Sequence, residues 1–324
     1  MPHALITGGA GFIGSHLTDY LLARDYQVTI IDNLATGRLE NIEHNQNNPN
    51  LRVVIEDIRN LHTTDRFVSE CDIIFHMAAA VGVQKIIEEP INTIETNIGG
   101  TEVLLKAARR YRKKIMIAST SEVYGKGVSF PFKEDDDSLL GPTSKSRWSY
   151  ATSKAIDEFL ALAYHYEVDL EVVLFRLFNT IGPRQTGQYG MVVPRFVKWA
   201  LNNETIQVYG DGQQSRSFGN VHDVIDAIYR LSNSDEAVGE LFNIGNNQEI
   251  SILQLAELVK ERVGSESEIK LIPYEEAYKT PGFEDFRRRV PSIDKIGATV
   301  GWEPSTNLTE TIDQIIAYYR KTGE

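Results

Sequence analysis

Apolar residues in the first half of the chain fall into short β-branched runs separated by longer stretches of helical periodicity. The runs predict strands over 3–7, 27–31, 51–56, 72–76, 114–118 and 170–175, and the stretches predict helices over 12–24, 93–110 and 148–166. Runs that are apolar on both faces and alternate with helices belong to βαβ units, so the pattern predicts an α/β fold with a doubly wound parallel sheet. After Asn179 the pattern loosens into turn signals at Gly182-Pro183, Gly187 and Gly210-Asp211-Gly212. A later strand near 240–244 and a helix over 252–263 predict that the chain returns to the first unit before finishing. Two domains are therefore expected, 1–178 and 179–324. The second is a smaller, interleaved C-terminal α/β domain whose segments near 217–250 rejoin the first.

The first strand runs directly into Thr7-Gly8-Gly9-Ala10-Gly11-Phe12-Ile13-Gly14, with glycines at Gly8, Gly11 and Gly14, and the first helix opens there. Missing Cβ atoms allow a tight turn and a close backbone approach to a pyrophosphate at a helix N-terminus. Asp32 ends the second strand, eighteen positions beyond Gly14. A carboxylate there accepts from both ribose hydroxyls and repels a 2′-phosphate, which favours NAD over NADP; Arg38 nearby would soften that preference. Asp57, after the third strand, is placed either to accept from an adenine amino group or to cap a helix. The fold expected is thus Rossmann-type.

A second constellation lies downstream. Ser119-Thr120 closes the fifth strand, and Tyr150-Ala151-Thr152-Ser153-Lys154 lies in a helical stretch. A spacing of four puts phenol and ammonium on one helix face, about 6 Å apart along the axis. A cation beside a phenol favours phenolate and lowers its pKa from about 10. Such a phenolate takes a proton from a sugar hydroxyl while the carbon gives hydride to a nicotinamide.

Together, GxxGxxG, Asp32, Ser119-Thr120 and Tyr150…Lys154 resemble the extended short-chain dehydrogenase/reductase family acting on nucleotide sugars, from Leu5 through Gly301-Trp302-Glu303-Pro304. Phe178-Asn179-Thr180-Ile181-Gly182-Pro183-Arg184 resembles that family's loop between nicotinamide and sugar diphosphate, and Val208-Tyr209-Gly210-Asp211-Gly212…Arg216 its nucleotide-diphosphate loop. The resemblance implies NAD as cofactor, held by Gly8, Gly11, Phe12, Ile13, Gly14, Asp32, Asn33, Asp57, Ile58, Ala78, Ala79, Asn97, Ser119, Tyr150 and Lys154. It implies a UDP-sugar substrate held by Asn179, Arg184, Val193, Tyr209, Arg216 and Arg289, and a homodimer formed through two helices per subunit.

Ser119-Thr120-Ser121-Glu122-Val123-Tyr124-Gly125 is most similar to the UDP-glucuronate decarboxylase branch, as is Gly282–Ile293 with its Arg289-Val290-Pro291-Ser292. Simple C4-epimerases have no carboxylate at the position of Glu122, and many 4,6-dehydratases carry Asp-Glu where Ser121-Glu122 stands. The catalytic set implied is Tyr150, Lys154, Thr120, Glu122 and Ser121. Oxidation at C4 makes the C6 carboxylate a β-keto acid, which loses CO2; UDP-xylose or its 4-keto form follows. Arg289 is expected to hold the substrate carboxylate or diphosphate. Glu122 is expected to order a water or move the proton at C5, its pKa raised by a low-dielectric site. C4-epimerisation and 4,6-dehydration of a nucleotide sugar stand as alternatives. A non-catalytic NAD-binding sensor is the reading from another class.

Charge narrows the partners. Thirty-three Lys+Arg against 45 Asp+Glu give a net charge of −12, unsuited to coating nucleic acid or an anionic membrane. Cations nevertheless outnumber anions between Arg176 and Arg216, and Arg287-Arg288-Arg289 add to them, so the ligand-facing half is expected to be locally basic. The basic run Arg109–Lys114 ends a predicted helix, where cations complement the dipole. One cysteine, Cys71, builds neither a disulfide nor a thiolate zinc site, and the seven histidines show no metal spacing, so no metal is expected. The N-terminus lacks a signal-peptide pattern, and a reducing cytoplasm fits best.

Overall fold

The computed structural model of the chain describes residues 1–323 except 83–85, 87, 88, 188–190 and 278–286. The Gly282–Phe286 part of the decarboxylase-like segment lies outside the described residues. Seven parallel strands form one sheet: β1 His3–Thr7, β2 Gln27–Asp32, β3 Leu51–Ile55, β4 Ile73–His76, β5 Lys114–Thr120, β6 Val172–Leu177 and, much later, β11 Leu241–Ile244. Their order is β11-β6-β5-β4-β1-β2-β3, so the direction of winding reverses between β1 and β4. Ligands of such sheets bind outside the carboxyl ends at that reversal.

Alternation along each strand explains how both faces are covered. Ile6, Ile30, Phe75, Met116 and Phe175 meet the helix Phe12–Leu22 and the helix Val221–Ser232 on one face. Leu5, Ile31, Ile74, Ile115 and Leu174 meet the helices Leu61–Glu70, Pro90–Tyr111 and Trp148–Val168 on the other. Each of these side chains is essentially free of solvent contact, and full burial is worth about 1.5–3 kcal/mol per large aliphatic residue.

Strand ends differ from expectation where polar residues stay inside. β6 runs two residues further than predicted because Arg176 continues the strand, its guanidinium paired with Glu158 through Nη2–Oε2 at 2.7 Å. β5 likewise reaches Thr120, and the helix Leu61–Glu70, for which no bounds were predicted, fills the interval between β3 and β4.

The rest of the chain builds a second core. β7 Thr180–Ile181 pairs β10 Gly219–Asn220, and β8 Ile206–Tyr209 pairs β13 Ile269–Ile272. β9 Ser215–Ser217 lies between β12 Glu249–Ser251 and β14 Arg288–Arg289. Phe196, Val208, Leu255, Val259, Ile312 and Ile316 fill the space between these strands and the helices Val192–Leu201, Ile252–Val263 and Leu308–Thr322. The helix Val221–Ser232 and β11 pack instead into the core of the first sheet, so the chain crosses between the two cores more than once. Among the described residues, no helix is long and apolar enough to cross a membrane.

Candidate active site

A cavity of about 520 Å³ runs from the carboxyl ends of β1 and β2 across to the second core. At one end lie Gly8, Gly11, Phe12, Ile13 and Gly14. Gly8 has φ +73°, and a Cβ on Gly14 would stand 2.1 Å from the Gly8 carbonyl oxygen. Neither position tolerates a side chain, which leaves backbone N–H groups bare at the helix N-terminus. Asp32 accepts from the amides of Ala10 at 3.0 Å and Leu34 at 2.8 Å, and burial pushes its carboxyl up. Asp32, Asn33, Ile58, Ala78 and Ala79 all line the cavity. Arg38 stands 3.7 Å from Glu40.

Asp57 does not line it. Its carboxylate accepts two hydrogen bonds from the Arg59 guanidinium, at 2.9 and 2.7 Å, which holds it below the usual carboxylate range. The cap of the following helix is Asn60. Asn97 also lies behind the wall: it accepts from the Ala80 amide at 2.8 Å and donates to Ser153 Oγ at 3.0 Å, fixing the segment after β4 against the helix Trp148–Val168.

The middle of the cavity holds Ser119, Thr120, Ser121, Glu122, Arg147 and Tyr150. The Ser119 hydroxyl donates to Glu158, and Thr120 is hydrogen-bonded to the Tyr150 phenol. Lys154 is not part of the lining. Its ammonium is buried, and Nζ donates to Asp157 Oδ2 at 2.7 Å. The expected depression of the phenol is not found. Burial first, and then the Glu122 carboxylate, push Tyr150 up; Thr120 and Arg147 oppose them without prevailing. Spacing alone anticipated the cation and missed the anions.

Glu122 corrects a second expectation. Burial pushes its carboxyl up, but Arg147 and then Arg289 more than offset this and hold it below the ordinary carboxylate range. Arg147 Nη1 donates to Glu122 Oε2 at 2.5 Å, and Arg289 Nη1 lies 3.7 Å from Oε1. Arg289, on β14, also donates to Asn179. The chain thus places a carboxylate between two guanidiniums, one of which, Arg147, precedes Tyr150 by three residues. Arg147 is the functional candidate that motif reading left out of the site. Its signal was the run Arg147-Trp148-Ser149-Tyr150, which resembles the decarboxylases but was not read as a site residue.

At the far end stand Asn179, Val193, Tyr209 and Arg216, with Arg195 donating to the Tyr209 hydroxyl. Gln207, Gln214 and Tyr274 join them without having been singled out in sequence. Arg184 does not reach the cavity. With φ +68° it turns back to the first helix, where its guanidinium meets Asp19 at 2.7 Å and Ser15 at 3.3 Å. The basic stretch is accordingly less ligand-facing than its charge count implied. Arg176 and Arg184 are committed to Glu158 and Asp19, Arg288 to Glu249, and Arg287 lies in solvent.

Residues 5–315 match the family described as GDP-mannose 4,6 dehydratase. A UDP-N-acetyl-alpha-D-glucosaminuronate decarboxylase of Bacillus cytotoxicus is 41% identical over 98% of this chain and 97% of its own. A UDP-glucuronic acid decarboxylase 1 of Xenopus tropicalis is 38% identical over 99% of this chain and 72% of its own. Among solved structures, a UDP-glucuronic acid 4-epimerase from Bacillus cereus, in complex with UDP-glucuronic acid and NAD, superposes with a TM-score of 0.88 at 27% identity, covering 99% of each chain.

Proposed function

The chain belongs to the GDP-mannose 4,6 dehydratase-like family of extended short-chain dehydrogenase/reductases, enzymes that modify nucleotide sugars, and we propose that it is an NAD-dependent decarboxylase of UDP-glucuronate. The observation that carries this reading is the arginine pair around Glu122, beside Tyr150: a cationic pocket for a sugar carboxylate next to a base for the C4 hydroxyl. The residues fit a dinucleotide, because the glycine cradle excludes any Cβ and Asp32 faces the same cavity.

A bound NAD supplies a hydride acceptor at C4 and the means to return the hydride. The protein's own groups do the rest. Tyr150 takes the proton of the C4 hydroxyl, with the Thr120 hydroxyl supporting the oxygen. Arg289 holds the C6 carboxylate until the C4 ketone makes it labile; the C5–C6 bond then breaks, its electrons pass to the enolate and CO2 leaves. Glu122, steered by Arg147, governs the proton that C5 receives. UDP-xylose or its 4-keto form results. Lys154 and Asn97 position the machinery from behind the wall.

The 41% identity to a decarboxylase of the 2-acetamido sugar supports that substrate as a second reading. Both are separated by incubating the NAD-loaded enzyme with each UDP-uronate and following CO2 and sugar products by NMR. UDP-xylose from UDP-glucuronate is expected. UDP-galacturonate would make the enzyme an epimerase, and inertness toward both substrates would overturn the proposal. A homodimer in the cytoplasm belongs to the same reading: Ile156, Phe159 and Tyr166 form an exposed apolar stripe on one helix, and Ile91 is exposed on the helix packed against it.

A further inference from the structure

Lys154 and Asp157 lie three residues apart on the helix Trp148–Val168, and both are almost wholly buried. Their ion pair is closed at 2.7 Å and sits behind the cavity wall that Tyr150 helps to form. The surroundings fix it from two further elements. Thr101, on the helix Pro90–Tyr111, stands beside the Asp157 carboxylate, whose Oδ1 is buried with no hydrogen-bond partner, and the Thr101 hydroxyl meets His76 Nε2 at 3.1 Å. His76 Nδ1 in turn meets Thr7 Oγ1 at 2.8 Å, and Thr7 accepts from the Ala78 amide at 3.3 Å. The buried pair is therefore tied to the ends of β1 and β4, where the winding of the sheet reverses.

The Tyr150 phenol is faced by Glu122 from the turn after β5 and by Arg147 and Asp157 from its own helix; Arg289 stands against Glu122, and Lys154 and Glu158 act on Asp157. Thr120 adds a neutral hydrogen bond, and His76 faces Lys154 from β4. An ammonium at position 154 favours phenolate on general grounds, and the Asp157 carboxylate paired with it acts in the opposite direction.

We infer that Asp157 is a positioning residue for the reaction: it clamps the Lys154 ammonium, counterweighs its charge, and so sets the pH at which Tyr150 acts as a base. This rests on the assignment of Tyr150 as base in the proposed function. It extends that assignment to a carboxylate that touches neither substrate nor cofactor.

The experiment reads the ultraviolet absorbance of phenolate during pH titration of the NAD-loaded enzyme without sugar, with Tyr150→Phe as the subtraction. Asp157→Asn keeps the shape and removes the charge. It should move the Tyr150 transition down by about 1 pH unit, and the acid limb of turnover with it. An unmoved transition overturns the inference. Lys154→Met and the double variant Lys154→Met/Asp157→Leu supply a second arm, because apolar replacement of a whole buried pair is commonly tolerated. The single variant should raise the transition, and the double should bring it back toward the wild-type position. A double variant as displaced as the single refutes the counterweight. If Tyr150→Phe leaves the titrating signal intact, the base assignment and this inference fall together. A transition that shifts in Asp157→Asn while UDP-glucuronate goes unturned leaves this inference standing and the decarboxylase reading fallen.

Discussion

Arg289 is the residue on which the substrate assignment turns, and replacing it by alanine has a size that can be worked out. Its guanidinium enters the cavity from a two-residue strand, donates to Asn179 and stands 3.7 Å from Glu122. A charge-assisted contact to a substrate carboxylate is worth about 1.5–3 kcal/mol, and a two-pronged one somewhat more. At about 1.4 kcal/mol per decade, R289A should weaken UDP-glucuronate binding by roughly 10- to 300-fold. A sugar bearing a hydroxymethyl group offers Arg289 a single uncharged acceptor and no second prong, so UDP-glucose should lose less than UDP-glucuronate. UDP alone should lose almost nothing. Calorimetric titration of the three ligands into a Tyr150→Phe background prevents turnover and isolates binding. R289K, which keeps the charge and loses the fork, should fall between the two. Equal losses for all three ligands would place Arg289 on the diphosphate, and no loss would remove it from the site. Either result refutes the carboxylate pocket.

Other expectations follow from the same structure. Gly14→Ala puts a methyl group 2.1 Å from the Gly8 carbonyl, so the protein should purify with little NAD, measured on denaturation, while still binding UDP. Burial and then Arg184 hold His16 down to about 4, and burial and then Lys154 hold His76 down to about 3. Both lie below the unfolded value of about 6.5, so the unfolded chain binds more protons as pH falls. Their stabilisation is intact above about pH 6.5 and is lost toward pH 4, at up to about 1.4 kcal/mol per pH unit for each histidine. Urea midpoints across that range should show this slope, flattened in His76→Gln. Phe159 is 76% exposed, so Phe159→Glu should leave the fold intact and convert a dimer to monomers in sedimentation; an unchanged mass would remove the helix pair from the interface.

What the sequence disclosed was local chemistry. The glycine loop is eight consecutive residues whose geometry depends on one another, and six strands of the main sheet could be read as short apolar runs, five of them buried on both faces and the edge strand β3 largely exposed. Tyr150 and Lys154 were legible because a helix fixes their spacing. The environment of that pair was not, since Glu122 arrives from a different element and Asp157 looks like any polar residue on a helix. Arg184 was misjudged because its side of the chain is decided by a single left-handed residue, which a motif does not encode. The two-residue strands β7, β10 and β14 carry no periodicity at all, yet β14 is what delivers Arg289.

The seventh strand bears on how the protein can be made. β6 is finished at Leu177, but its partner β11 is not complete until Ile244, roughly 65 residues later. A ribosome adding about 5–20 residues per second needs several seconds to cover that interval. During it, the apolar run Val172–Leu177 is an open sheet edge, the kind that pairs with other chains. A fragment cut after residue 178 would keep that edge bare permanently. The residues beyond 178 thus also supply the strand that covers β6, so a fragment ending there is expected to aggregate through that edge.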